Sequence, residues 1–204
     1  KLVEGDAFNT AKLRRSRQQI RRLGFFDKVD VAQKQGETAD KVVIDVDVQE
    51  RSTGELSFGI GVSTSEAVVG DIAIRERNLL GKAQDLKLSL GLSATRQQVD
   101  LSFTEPYFLD RNLSAGFDVF SQKEDQQDRS SFDEQRQGFS LRARFPITEN
   151  LKQGLRYTLR SDTLENIDND TSSLISLDEG SYVTSAMSYD LTYDTRDDIF
   201  LPTK

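Results

Sequence analysis

The chain has 204 residues, with 27 Lys and Arg against 34 Asp and Glu, a net charge of -7, and neither His nor Cys. That composition excludes a disulfide framework and thiolate chemistry, removes the commonest general base and metal ligand, and argues against bulk affinity for nucleic acid. No apolar run approaches the roughly 18 residues of a membrane helix, but membrane strands need only every second residue apolar, so the low mean hydropathy does not exclude a barrel.

Residues 9–23 read as a helix. Asn9 is a suitable N-cap, because its side-chain oxygen can accept from an unpaired amide of the first turn. Phe8 and Leu13 are spaced as a hydrophobic staple. Leu13, Ser16, Ile20 and Leu23 fall on one narrow face, and arginines 14, 15, 17, 21 and 22 spread round the others. Those arginines invite a nucleic-acid reading, which the acidic chain disfavours; a solvated or partner-facing side is expected instead. Gly24 stands where a left-handed C-cap costs least. Phe25, Val29 and Val31 then mark one side of a strand, and the segment 33–41 supplies a turn. Val42, Ile44, Val46 and Val48 alternate with Asp45, Asp47 and Gln49 as a second, half-buried strand. One helix on a hairpin is too small to be stable alone, so residues 1–50 are expected to be the end of a small α/β domain that begins upstream.

From Gly54 a long series of alternating segments begins. Leu56, Phe58, Ile60 and Val62 interleave with Glu55, Ser57, Gly59, Gly61 and Ser63. Leu86 to Leu92, Val99 to Phe103, Phe139 to Phe145 and Val183 to Tyr193 repeat the pattern, and less regular stretches near 68–76, 113–120 and 151–160 fit it. About eight strands result, several near the 9–11 residues of a tilted membrane strand. Links near 78–84, 105–112 and 146–150 are short. Those near 121–137 and 161–181 read as long polar loops. Short turns on one rim and long loops on the other are the signature of an outer-membrane barrel. A soluble sandwich or lipocalin-like barrel also alternates. The Gly- and Ser-rich polar positions and the aliphatics on nearly every strand, with no helix to cover them, favour the membrane.

Individual side chains add little chemistry. Asp194, Asp197 and Asp198 lack the glycine turn and terminal Glu of a calcium loop and read as rim charges. Glu105 precedes Pro106 in a turn with Tyr107 and Phe108, and no second carboxylate stands near it in sequence. Arg142 and Arg144 point to one side and are expected to line the lumen. Without His, Cys or a compact carboxylate constellation, no enzyme, cofactor or metal site is expected.

Several stretches resemble the bacterial surface antigen superfamily of BamA-type outer-membrane assembly factors. They are RRLGFFDKVDV with KVVIDVDVQERSTGELSFGIGVST, NLLGKAQDLKLSLGLS, DLSFTEPYFLDRNLSAGF and YDTRDDIFLPTK, in colinear order over nearly the whole chain. The resemblance implies an α+β POTRA fragment over residues 1–50, from the last such periplasmic domain. Antiparallel transmembrane β-barrel strands follow over 51–204, about eight of a larger barrel of some sixteen. Half a barrel would leave open edges with unpaired amides, so a fragment of a longer chain is expected.

The resemblance further implies ATP-independent insertion of β-barrel proteins into the bacterial outer membrane, through a lateral gate at the first barrel strand. That strand would be residues 54–64, with Gly54, Leu56, Phe58, Gly59, Ile60, Gly61 and Val62 as the gate. Gly59 and Gly61 weaken a strand interior and permit bending, although they could instead make room in the lumen or mark a bulge. The implied partners are BamD-like lipoproteins of a BAM complex, contacted at Glu4 with Asp6 beside it, unfolded outer-membrane clients and outer-membrane lipid. A solvated loop carboxylate is the plainer reading of Glu4. The alternatives are a two-partner secretion or TamA-like relative and, from another class, a soluble β-rich binding module.

Overall fold

A computed structural model describes residues 5, 7–38, 41–127, 131–148, 150–167 and 179–196. The chain divides into two compact units, Lys1–Thr53 and Gly54–Lys204.

In the first unit, helix α1 spans Thr10–Arg22. Asn9 caps it as expected, its Oδ1 accepting from the amides of Ala11 at 2.9 Å and Lys12 at 3.1 Å. Gly24 ends it at φ +73°, where a side chain would be strained. Strands β1 (Phe26–Gln35) and β2 (Val42–Glu50) form an antiparallel hairpin with Val29 opposite Val48 and Val31 opposite Val46. Helix α1 packs on β1, and Leu13 and Val29 are the buried apolar side chains among the described residues.

Two expectations need correction. Val42, Val46 and Val48 of β2 are exposed rather than half-buried, since among the described residues the helix packs mainly on β1. The arginines are not all solvated: Arg17 Nε and Arg21 Nη2 both donate to the Val29 carbonyl, each at 3.4 Å. They satisfy a main-chain acceptor beside the only fully buried large side chain described.

The second unit is one eight-stranded antiparallel sheet in sequence order, from β3 to β10. Its strands are β3 (Gly54–Ser63), β4 (Ala67–Leu79), β5 (Gln84–Ser93), β6 (Arg96–Glu105), β7 (Ser114–Asp125), β8 (Asp133–Pro146), β9 (Leu151–Glu165) and β10 (Gly180–Tyr193). Much of what reads as loop near 121–137 and 161–181 is strand. Polar residues there keep their cross-strand partners, as in Lys123 opposite Gln135 and Thr163 opposite Ser181. Apolar alternation cannot detect a paired strand once it leaves an apolar medium.

The register assembles the alternating residues into two faces. Leu56, Ile74, Leu88, Leu101, Val119, Phe139 and Leu159 stand in one cross-strand row on one face. Ser102, Asp118, Ser140 and Thr158 stand in a row on the other. The apolar face carries exposed Leu, Ile, Val, Phe or Tyr side chains on every strand but β9, whose outward Leu155, Tyr157 and Leu159 are half-buried, and has no covering element among the described residues. Water would disfavour such a surface; hydrocarbon would not.

The dimensions agree with a membrane. On β3, β5, β8 and β10 the apolar band is four or five outward positions deep, or about 23–30 Å along the strand. It is also inclined to the hydrogen bonds. On β3 it centres on Gly59, whose row leads through successive partners to Tyr182 on β10. On β10 the band centres near Met187 and Tyr189 instead. A drift of about six residues over seven strand steps, at about 3.3 Å per residue and about 4.8 Å per strand, is a tilt of about 30°. Corrected for that tilt, the band is about 20–26 Å deep, close to the roughly 25 Å belt of outer-membrane barrels.

Candidate functional site

Strand β3 is one of the two terminal strands of the sheet, β10 being the other. It pairs with β4 on one side and, among the described residues, with nothing on the other. Gly54, Leu56, Phe58, Gly59, Ile60, Gly61 and Val62 all lie on it. Its outward residues rise in exposure from 70% at Leu56 to 87% at Val62, against 38% for Phe139 in the sheet interior, because a terminal strand has one neighbour rather than two. The β3–β4 register runs without a shift from Gly54 opposite Glu76 to Ser63 opposite Ala67. The glycines therefore mark no bulge.

Packing among the described residues does not account for them either. A Cβ built on Gly59 or Gly61 meets no atom within 4 Å, and neither residue has positive φ. Gly116 differs: its Cβ would lie 2.5 Å from the Phe103 carbonyl oxygen and 3.2 Å from Arg142 Nη2. At Gly154 a Cβ would collide with the Asp190 carboxylate. Close approach of the backbone thus requires glycine at Gly116 on β7; at Gly154 the close atoms belong to the movable Asp190 side chain, and on β3 glycine leaves open space where side chains would stand. The foot of β3 is fastened: Glu55 Oε1 accepts from Arg77 Nη2 at 2.5 Å.

The inner wall has its own organisation. As expected, Arg142 and Arg144 share the polar face, but their partners come from strands that sequence proximity does not connect. Asp118 Oδ2 lies 2.9 Å from Arg142 Nε and 3.2 Å from Arg156 Nη1, and Asp190 Oδ2 lies 3.5 Å from Arg144 Nη2. Higher on the wall Asp162 accepts from Arg136 Nε at 2.9 Å and from Arg160 Nε at 2.8 Å. Parity along each strand could have placed these residues on the polar face; only the register reveals which carboxylate meets which arginine.

The remaining candidates are structural. Glu105 Oε1 accepts from the Tyr107 amide at 3.4 Å and Oε2 accepts from Gln84 Nε2, which brace a turn continued by a short 3-10 segment, Phe108–Asp110. Asp194, in the turn after β10, accepts from the amide of Arg196 at 3.1 Å and from its guanidinium at 2.8 Å and 2.6 Å. Those bonds from Arg196 hold the Asp194 carboxyl down at about 2. No group of acidic residues among those described is placed to hold a metal ion. Glu4, Asp6, Asp197 and Asp198 lie outside the described residues.

Comparison with known proteins fits both units. Residues 1–51 match a POTRA family, described as a surface antigen variable number repeat, and residues 78–204 match the Omp85 superfamily domain. An outer membrane protein assembly factor BamA of Nitratidesulfovibrio vulgaris is 34% identical over all of this chain and 25% of its own length. The BamA of Neisseria meningitidis serogroup B is 33% identical over 72% of this chain and 19% of its own. The chain thus spans a quarter or less of the length of these relatives. The crystal structure of BamA from Haemophilus ducreyi lacking POTRA domains 1-3 superposes with a TM-score of 0.75 at 24% identity, over 99% of this chain and 41% of that one. CdiB from Escherichia coli shares the fold less closely, with a TM-score of 0.56 at 16% identity over 92% of this chain and 37% of its own. A helix-and-hairpin unit, an inclined apolar band on an eight-stranded sheet and a domain match over more than half the residues lead to one conclusion: the chain belongs to the Omp85 superfamily, with a POTRA segment preceding outer-membrane barrel strands.

Proposed function

We propose that the full-length protein assembles other β-barrel proteins into the outer membrane, and that β3 is the moving edge of a lateral gate. The relatives named as outer membrane protein assembly factors support the assembly role. Superfamily membership makes this an outer-membrane protein whose POTRA segment is periplasmic.

The gate reading rests on one observation: the terminal strand β3 carries two glycines that neither backbone conformation nor close packing among the described residues requires. An open strand edge offers a row of amides and carbonyls to an incoming strand. Edge pairing supplies its own free energy, so the process needs neither ATP nor an acid–base residue, and the protein acts as a template rather than an enzyme. Unfolded outer-membrane proteins are the clients on this reading. A BamD-like lipoprotein is the partner at Glu4 and Asp6, as the family resemblance implies.

The test is replacement of Gly59 and Gly61 together by valine in the full-length protein, with insertion of a client barrel into vesicles as the readout. Open space around both positions predicts a normally folded barrel with slower client insertion. Unchanged insertion would remove β3 flexibility from the mechanism.

A further inference from the structure

A hollow of about 420 Å³ opens on the inner wall near the rim of the short turns. Arg142, Arg144 and Arg156 surround it, and Gly116 and Gly154 form its floor. Arg142 and Arg156 are direct cross-strand partners on β8 and β9, with Arg144 one inward position further along β8. Like charges placed directly opposite each other destabilise a sheet. Here one carboxylate, Asp118, serves both members of the pair.

The three guanidiniums are not equivalent. Arg142 is consumed by the wall: its Nη2 donates to Ser102 Oγ at 3.0 Å, Thr104 Oγ1 at 3.2 Å and the Phe103 carbonyl at 3.3 Å. Arg156 has one 3.2 Å bond to Asp118, and Arg144 reaches Asp190 only at 3.5 Å; their side chains are 49% and 62% exposed. A guanidinium has five N–H donors in a planar fork. Most donors on Arg144 and Arg156 therefore have no protein acceptor among the described residues, and both side chains line the hollow. The cluster holds three positive and two negative groups, and the floor glycines keep it open, since a side chain at either would strike Arg142 or Asp190.

We propose that Arg144 and Arg156 form an oxyanion-binding station on the lumen wall, and that its occupant is the carboxylate of an acidic polypeptide segment inside the barrel. Lipid phosphate is excluded by position, because the site faces away from the apolar band and Ser102, Thr104, Thr158 and Ser188 share its side of the sheet. A carboxylate matches the guanidinium fork with two parallel bonds. The inference rests on the lumen assignment and is independent of whether β3 opens.

The experiment uses the full-length protein in detergent micelles and a fluorescein-labelled peptide of alternating Glu and Gly, with binding followed by anisotropy. Inorganic phosphate and a Lys–Gly peptide are the competing and control probes. Saturable binding of the Glu–Gly peptide is expected, weakened at least about fivefold by Arg144→Gln or Arg156→Gln and about tenfold or more by both. Both side chains are half-exposed and each has one ion pair, so folding should survive, as heat-modifiable gel mobility verifies. Displacement by millimolar phosphate would keep the station but reassign its occupant to a free oxyanion, overturning the peptide assignment. No binding by the wild type, equal binding of the Lys–Gly peptide, or binding indifferent to both substitutions would overturn the station itself. None of these readouts depends on client insertion, so failure here and failure of the gate are separable.

Discussion

The two units use the same alternation of apolar and polar residues for opposite purposes. In the hairpin, alternation points Val29 inward beneath α1, where it is 2% exposed. In the sheet, alternation points Leu, Ile and Phe outward, and no apolar side chain described there reaches the buried class. The first unit is a globular fragment organised around an interior; the second is inside-out, its polar residues lining the concealed face. A β pattern therefore states which residues differ in solvent, and the neighbouring elements decide which solvent lies on which side.

One substitution placed in three settings would break this comparison if it is wrong. Val29→Arg buries a charge without a partner and should cost about 3–5 kcal/mol, read as loss of cooperative urea unfolding of the POTRA segment by circular dichroism. Leu141→Arg, near the middle of the outward band on β8, should cost about 2–4 kcal/mol when the barrel is unfolded from vesicles, as charged groups do at the bilayer midplane. Gln98→Arg, on the inner wall beside Asp100 and opposite the uncharged Gly91 and Gln122, should lie within about 0.5 kcal/mol of wild type. An equal cost at positions 98 and 141 would mean that both faces meet the same medium.

Smaller effects sharpen the contrast. Asn9→Ala removes two capping bonds from α1 and should cost about 1 kcal/mol, confined to the POTRA segment's unfolding and absent from barrel unfolding. The smallest effect concerns pH. Asp194 has its folded pKa lowered from 3.8 to about 2 by Arg196. Its stabilising contribution is complete above about pH 4 and is lost as the pH falls through about 2. The Arg196 side-chain resonances in a nuclear magnetic resonance titration should move with that low midpoint; movement centred near 4 would mean that the pair does not form.

Much of this architecture was legible in the residues. The cap at Asn9, the stop at Gly24 and the strand alternation are local, and each is fixed by chemistry within a few residues. The polar ends of β7, β8, β9 and β10 were not, because pairing through Lys123–Gln135 and Thr163–Ser181 leaves no apolar rhythm to read. The roles of Arg17 and Arg21 were hidden for a similar reason: their acceptor, the Val29 carbonyl, belongs to the next element. The gate candidates of 54–64 followed from the family resemblance, and Gly59 and Gly61 stood out within them. That those glycines have open space around them among the described residues, unlike Gly116, required the atoms around them.

By itself the sequence determined the class of chain: acidic, without His or Cys, one capped helix, then strands whose alternate residues suit a membrane. These properties follow from composition and short-range periodicity, which are written along the chain. The tertiary structure decided register, and register decided the rest. It set the inclination of the apolar band and the meeting of Asp118 with Arg142 and Arg156. The physical reason is that a strand specifies its two faces at every second residue, whereas its partner and offset depend on hydrogen bonds to residues tens of positions away.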